Sequence, residues 1–177
     1  LEVIAVTSTR AVGIGIERIR EVPDWDNIVA SFFSVAERAA IADLPVADQL
    51  PAFFTCWTRK EAYLKATGDG LAVELGSFDV TVSPGSLPRL LRVEGLPNEV
   101  TRWVFRDLPV VLGFMGVVAV EHPAFSNGIC GESPVSLSPL PKITDFAPWT
   151  RAFEWPCDLK LLGDSSQMSQ LRLLSFQ

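Results

Sequence analysis

The chain has 177 residues, of which 48% are hydrophobic, and its mean hydropathy is positive. That composition suits a core-rich globular protein and argues against global disorder. A net charge of −6 argues against nucleic acid as a partner. No apolar run reaches the ~18–20 residues that a membrane helix needs, so no membrane span is expected.

Leu1–Val6 shows no charged flank or cleavage site, so a secretory leader is not expected. Cys56, Cys130 and Cys157 lack C-x-x-C spacing and read as reduced thiols of a cytoplasmic protein. His122 is the single histidine, which disfavours histidine-paired zinc sites and Ser-His-Asp triads.

In chain order, 2–7 and 12–17 read as two strands joined by a turn at Ser8–Arg10. Alternation along the second puts Gly15 and Glu17 on one face. Ser34 followed by Glu37 is a capping box, which predicts a helix over 35–44, ahead of Pro45. A second helix is predicted over 50–67, with Gly68 past its end. Phe78, Val80 and Val82 alternate on a strand that stops at Pro84-Gly85. Segments 90–93, 102–106 and 110–120 complete a sheet. The class is therefore α+β, an antiparallel-rich sheet packed by two helices. After residue 122 prolines and serines are frequent and no clean period appears. Residues 1–122 are read as one domain, and 123–177 as a loosely ordered extension.

The densest information lies in Trp57-Thr58-Arg59-Lys60-Glu61-Ala62-Tyr63-Leu64-Lys65. On a helical wheel Phe53, Cys56, Trp57 and Leu64 form an apolar stripe. Glu61 and Lys65 are four apart at its border. Lys60 falls inside the stripe, where a cation is out of pattern; its stem could be buried with the ammonium in water. An acid and two cations beside a buried face suit a site that handles phosphates and a metal.

This segment resembles the second signature, W-x-x-K-E-a-x-x-K, of the 4′-phosphopantetheinyl transferase superfamily. Gly13-Ile14-Gly15-Ile16-Glu17 is similar to its first signature, G-I-D-I-E, and Phe32-Phe33-Ser34-Val35-Ala36-Glu37 to its F-F-S-x-x-E. The three lie in register, and the chain looks like the second half only of the larger, surfactin-type members.

The resemblance implies transfer of 4′-phosphopantetheine from coenzyme A to a serine of an acyl or peptidyl carrier protein, with Mg²⁺. It implies Glu17 and Glu61 as metal ligands, Glu61 and Lys65 as catalytic groups, and Lys60 and Lys65 as binders of coenzyme A phosphates. Gly15 stands where the family has a metal-binding aspartate, with an empty volume expected beside it. The alternatives are an impaired enzyme, a non-catalytic module that contacts coenzyme A or a carrier protein, or a truncated product without function of its own.

Overall fold

The computed structural model describes residues 2–7, 9–70, 73–110, 112–122, 153–154 and 160–164. It divides into two compact units, one of Leu1–Ser8 with Ile129–Gln177 and one of Thr9–Gly128. In the first unit, β1 (Glu2–Val6) pairs antiparallel with β8 (Lys160–Asp164), and β8 with β7 (Phe153–Glu154). Both of the first two expected strands are present, as β1 and as Val12–Arg18. The first strand takes its hydrogen-bond partner from the other end of the chain. Apart from β7 and β8, the expected loose extension lies outside the described residues.

The second unit holds Glu17, Glu61 and Lys65. Its sheet has the order β2-β6-β5, all antiparallel. Strand β2 spans Val12–Arg18, β5 spans Trp103–Asp107 and β6 spans Phe114–Glu121. The central strand β6 is buried at Val117, Val118, Ala119 and Val120. Successive side chains point to opposite faces, so both faces of this strand are covered. A separate two-stranded ladder pairs β3 (Phe78–Val80) with β4 (Leu90–Val93) and is irregular between Asp79 and Val80.

Helix α1 (Trp25–Phe32) is short, and its N-cap Asp24 makes no side-chain cap bond. It escaped the sequence reading although Asp24 is an N-cap residue type, as did the one-turn α4 (Glu99–Arg102) after Asn98. Helix α2 (Val35–Ala42) starts with the predicted reciprocal cap. The Ser34 hydroxyl accepts from the Glu37 amide at 3.2 Å, and Glu37 Oε2 accepts from the Ser34 amide at 3.0 Å.

Helix α3 (Val46–Thr67) begins a turn earlier than the prolines suggested, with Pro51 inside it. Proline has no amide hydrogen, so one helical bond is lost there. The next turn reuses proline's own carbonyl, which accepts from the Thr55 hydroxyl at 2.9 Å. The helix ends at Gly68, whose φ of 78° suits a residue without Cβ.

Helix α3 packs on β2 and β6. An apolar body surrounds it, with Phe53, Phe54, Tyr63, Phe78 and Trp103 all buried. Tyr63 meets Phe78 at 4.8 Å and Trp103 edge-on at 5.7 Å between ring centres. The approach to β2 is unusually close. A Cβ placed at Gly13 would lie 2.2 Å from the Ala62 carbonyl oxygen, and one at Gly15 would lie 1.9 Å from that of Thr58. Both glycines are buried, and helix backbone rests directly on strand backbone.

Gly15→Ala should therefore destabilise the protein, because the obstructing atoms are main chain and cannot swing aside. Overpacking of this kind costs about 1–3 kcal/mol or more, a fall in melting temperature of roughly 2–4 °C per kcal/mol for a chain this size. Gly76→Ala is the control, since its added Cβ would have no neighbour nearer than 3.8 Å. Thermal melts in which both variants match wild type would contradict the close contact.

Candidate active site

Beyond the two glycines, Glu17 is the next residue on the helix-facing side of β2. It pairs across the sheet with Met115, whose sulfur lies 3.1 Å from the Thr55 hydroxyl of α3. Glu61 is three residues past Thr58, so it borders the strip of helix that rests on β2. Lys65 is one turn further along, 3.4 Å from the Glu61 carboxylate, and 43% of its side chain is exposed against 24% for Glu61.

Electrostatics ties these groups together. Burial pushes the Glu17 carboxyl above its ordinary value of 4.5, and the negative charge of Glu61 pushes it further, while Arg20 and Lys65 pull it down. Glu17, Glu61, Lys65 and Arg20 thus share one neighbourhood at the seam of strand and helix. Arg20 was not singled out in the sequence. It lies past the end of β2, where neither the strand period nor the helix period marks it.

Lys60 lies elsewhere. It is 0% exposed, and its ammonium donates to the carbonyls of Leu75 at 2.7 Å and Phe78 at 2.6 Å. It is also paired with Glu37 Oε2 at 2.9 Å. Three acceptors use all three of its N–H bonds. The expectation that Lys60 grips a coenzyme A phosphate, or reaches water at the end of a buried stem, is corrected on that ground. Glu37, read from the sequence as a helix cap, is its counter-charge. The helical wheel marks Lys60 as out of pattern, and a buried lysine is stable only with such a counter-charge.

The empty volume expected beside Gly15 is also absent, since the Thr58 backbone occupies the place where a side chain would start. A carboxylate there would require helix and strand to separate.

The remaining groups can be tested against Mg²⁺. Among the described residues, no cluster of three His, Cys, Asp or Glu side chains could hold a metal. Two carboxylates do share the seam, and the upward shift of Glu17 comes first from burial and then from the repulsion of Glu61, which a cation would relieve. Mg²⁺ is commonly held by one or two carboxylates with waters and substrate phosphates. The residues fit that open arrangement and no closed protein cage.

The shift of Glu17 has a definite sign. Between 4.5 and its folded value, the folded protein binds more protons than the unfolded chain, so stability falls as pH rises through that window. Glu17→Gln should therefore raise the melting temperature at about pH 7.5 without divalent cation. The gain should vanish at about pH 4, where the unfolded carboxyl is also protonated. An identical difference at both pH values would show that Glu17 is not held in a charge-hostile place.

A family model described as the 4′-phosphopantetheinyl transferase superfamily matches residues 11–112, more than half of the 177-residue chain. The chain is similar to the 4′-phosphopantetheinyl transferase HetI of Nostoc sp., 39% identical over 84 residues, which are 48% of this chain and 35% of that protein. It is similar to the 4′-phosphopantetheinyl transferase Sfp of Bacillus subtilis, 28% identical over 127 residues, covering 72% of this chain and 54% of that protein. Among solved structures, the holo-[acyl-carrier-protein] synthase of Thermotoga maritima aligns with a TM-score of 0.49 at 19% identity, over 64% of each chain. The chain thus spans between about a third and about a half of the length of these two relatives. No helix among the described residues is long and apolar enough to cross a membrane. On the match to residues 11–112, this chain belongs to the 4′-phosphopantetheinyl transferase superfamily.

Proposed function

We propose that this chain carries the metal-binding and phosphate-handling part of a transferase that moves 4′-phosphopantetheine from coenzyme A to a serine of an acyl or peptidyl carrier protein. The observation that carries this reading is the gathering of Glu17, Glu61 and Lys65 at the seam of β2 and α3. The reaction forms a bond from the serine oxygen to the β-phosphorus and breaks the pyrophosphate bridge, releasing 3′,5′-ADP. Such a transfer asks the protein for positioning and charge stabilisation more than for covalent help.

Glu17 and Glu61 would hold Mg²⁺, which when bound neutralises the pyrophosphate oxygens. Lys65, nearly half exposed, would stabilise charge developing on the leaving phosphate. Glu61 would also orient the serine hydroxyl or accept its proton. Lys60 has no part in binding phosphate. A cytoplasmic setting, where coenzyme A and carrier proteins meet, suits the chemistry.

A second reading, a non-catalytic module that binds coenzyme A or a carrier protein, is favoured by Gly15. That position offers no ligand and has no room for one. A metal shell reduced to two carboxylates should be weaker, since lost support for a metal typically costs ~10–100-fold in affinity or activity.

The test is to incubate the chain with coenzyme A, Mg²⁺ and an apo-carrier protein, and to weigh the carrier by mass spectrometry. Gain of one phosphopantetheine supports the transferase. Coenzyme A or carrier protein retained without transfer supports the binding module, and the absence of transfer and of both kinds of binding would sink both readings. Glu61→Gln and Lys65→Met should each lower the transfer rate by ~10-fold or more. Melting should move little, because a partly exposed ion pair contributes only ~0.2–1 kcal/mol.

A further inference from the structure

Helix α3 has two opposite faces that do different work. Thr58, Ala62 and Ala66 follow one another on the face that rests on Gly13 and Gly15 of β2. Lys60 is two residues past Thr58, about 200° around the axis, and points away from that strand. Its ammonium meets Glu37 of α2 and the carbonyls of Leu75 and Phe78, at and before the start of β3. It also sits 4.2 Å from the centre of the Phe78 ring.

Glu37 is as fully engaged as Lys60. It is 2% exposed. Its Oε2 receives Lys60 and the Ser34 amide, and its Oε1 accepts from the Val80 amide at 2.9 Å. The pair therefore joins α2, α3 and β3 through directional bonds.

The β2 side of the helix has no comparable device. There the helix backbone lies on two glycines, and the side-chain contact beside them is the Thr55 hydroxyl on the Met115 sulfur of β6 at 3.1 Å. A helix resting on glycine is held at the right height, yet little there resists rotation about its axis. Rotation matters because Glu61 follows Lys60 directly. A group ~6 Å from the axis moves ~1 Å for a ~10° turn, using the radius of a helix with its side chains. A misplacement of ~1 Å can cost ~10²-fold in rate.

We propose that Lys60 and Glu37 are positioning residues for the transfer reaction: their buried pair fixes the rotation of α3 and so aims Glu61 at the seam with β2. This rests on the transferase reading above. It assigns to the out-of-pattern lysine a role exerted through Glu37, with no contact to substrate.

The decisive variant is the double substitution Lys60→Met/Glu37→Leu. Each single change leaves a charge buried alone and should lower the melting temperature sharply, whereas replacing both partners with apolar groups removes that charge penalty and leaves the smaller cost of the backbone groups they paired. A positioning role predicts a melting temperature that recovers toward wild type in the double variant. KM for coenzyme A should stay within ~2-fold, and kcat should remain at least ~10-fold down. Recovery of kcat together with stability would show that the pair only holds the fold. A ~10-fold rise in KM for coenzyme A with kcat intact would place Lys60 on the substrate. Either result overturns the proposal.

Should the double variant not fold, Glu37→Gln keeps the side chain's size while removing its charge and exchanging one acceptor oxygen for an amide NH2. The same split between kcat and KM is then read on it, at a temperature where circular dichroism shows it folded. The mass-gain assay on the wild-type chain separates the two levels. A wild type that transfers nothing overturns the reaction and the positioning role with it. An active wild type with a fully active double variant overturns the positioning role alone.

Discussion

The site in this protein depends on the contact of β2 with α3 through bare backbone. Gly13 and Gly15 let the helix main chain at Thr58, Ala62 and Ala66 settle against the strand with no side chain between them. Everything near the seam inherits its position from that approach. Glu17, the next residue on the same side of β2, is brought under the helix and half-buried. Its carboxyl is drawn into the field of Glu61. A wider spacing would admit more water and weaken their mutual influence. The closeness that creates the carboxylate neighbourhood also prevents position 15 from contributing to it.

The opposite side of the helix follows another physical logic. Burying a lysine is costly unless its charge and every N–H are answered. Here Lys60 is answered by one carboxylate and two carbonyls, and among the described residues no buried side-chain polar atom is left without a partner. Arg59 provides a parallel case on the neighbouring flank. It is 2% exposed, and its guanidinium donates to the Thr81 carbonyl and hydroxyl, each at 2.8 Å, and to the Ser86 carbonyl at 2.8 Å. It thereby pins the turn between β3 and β4. Adjacent cations in the sequence thus organise the frame, while Glu61 and Lys65 remain partly open to solvent. Along one helix, burial separates charges that hold the fold from a charge pair left partly open to solvent.

What could be read from the sequence was set by local geometry. The capping box at Ser34 and Glu37, the terminating Gly68, the i, i+4 pair of Glu61 and Lys65 and the shared face of positions 15 and 17 follow from the periods of helix and strand. These depend on residues a few positions apart, so the chain alone determined them. Together with the signature motifs, they placed Glu17, Glu61 and Lys65 as candidates for one site.

The rest required partners distant in the chain. Whether Lys60 reaches water was decided by Glu37, 23 positions earlier, and by the carbonyls of Leu75 and Phe78, none of which a helical wheel displays. Whether Gly15 leaves room for a side chain was decided by how closely α3 approaches β2. The partner of β1 was decided by β8. A sequence period states which way a side chain points from its own backbone. Only tertiary packing states what lies there, because that depends on separations in space that the chain does not carry locally.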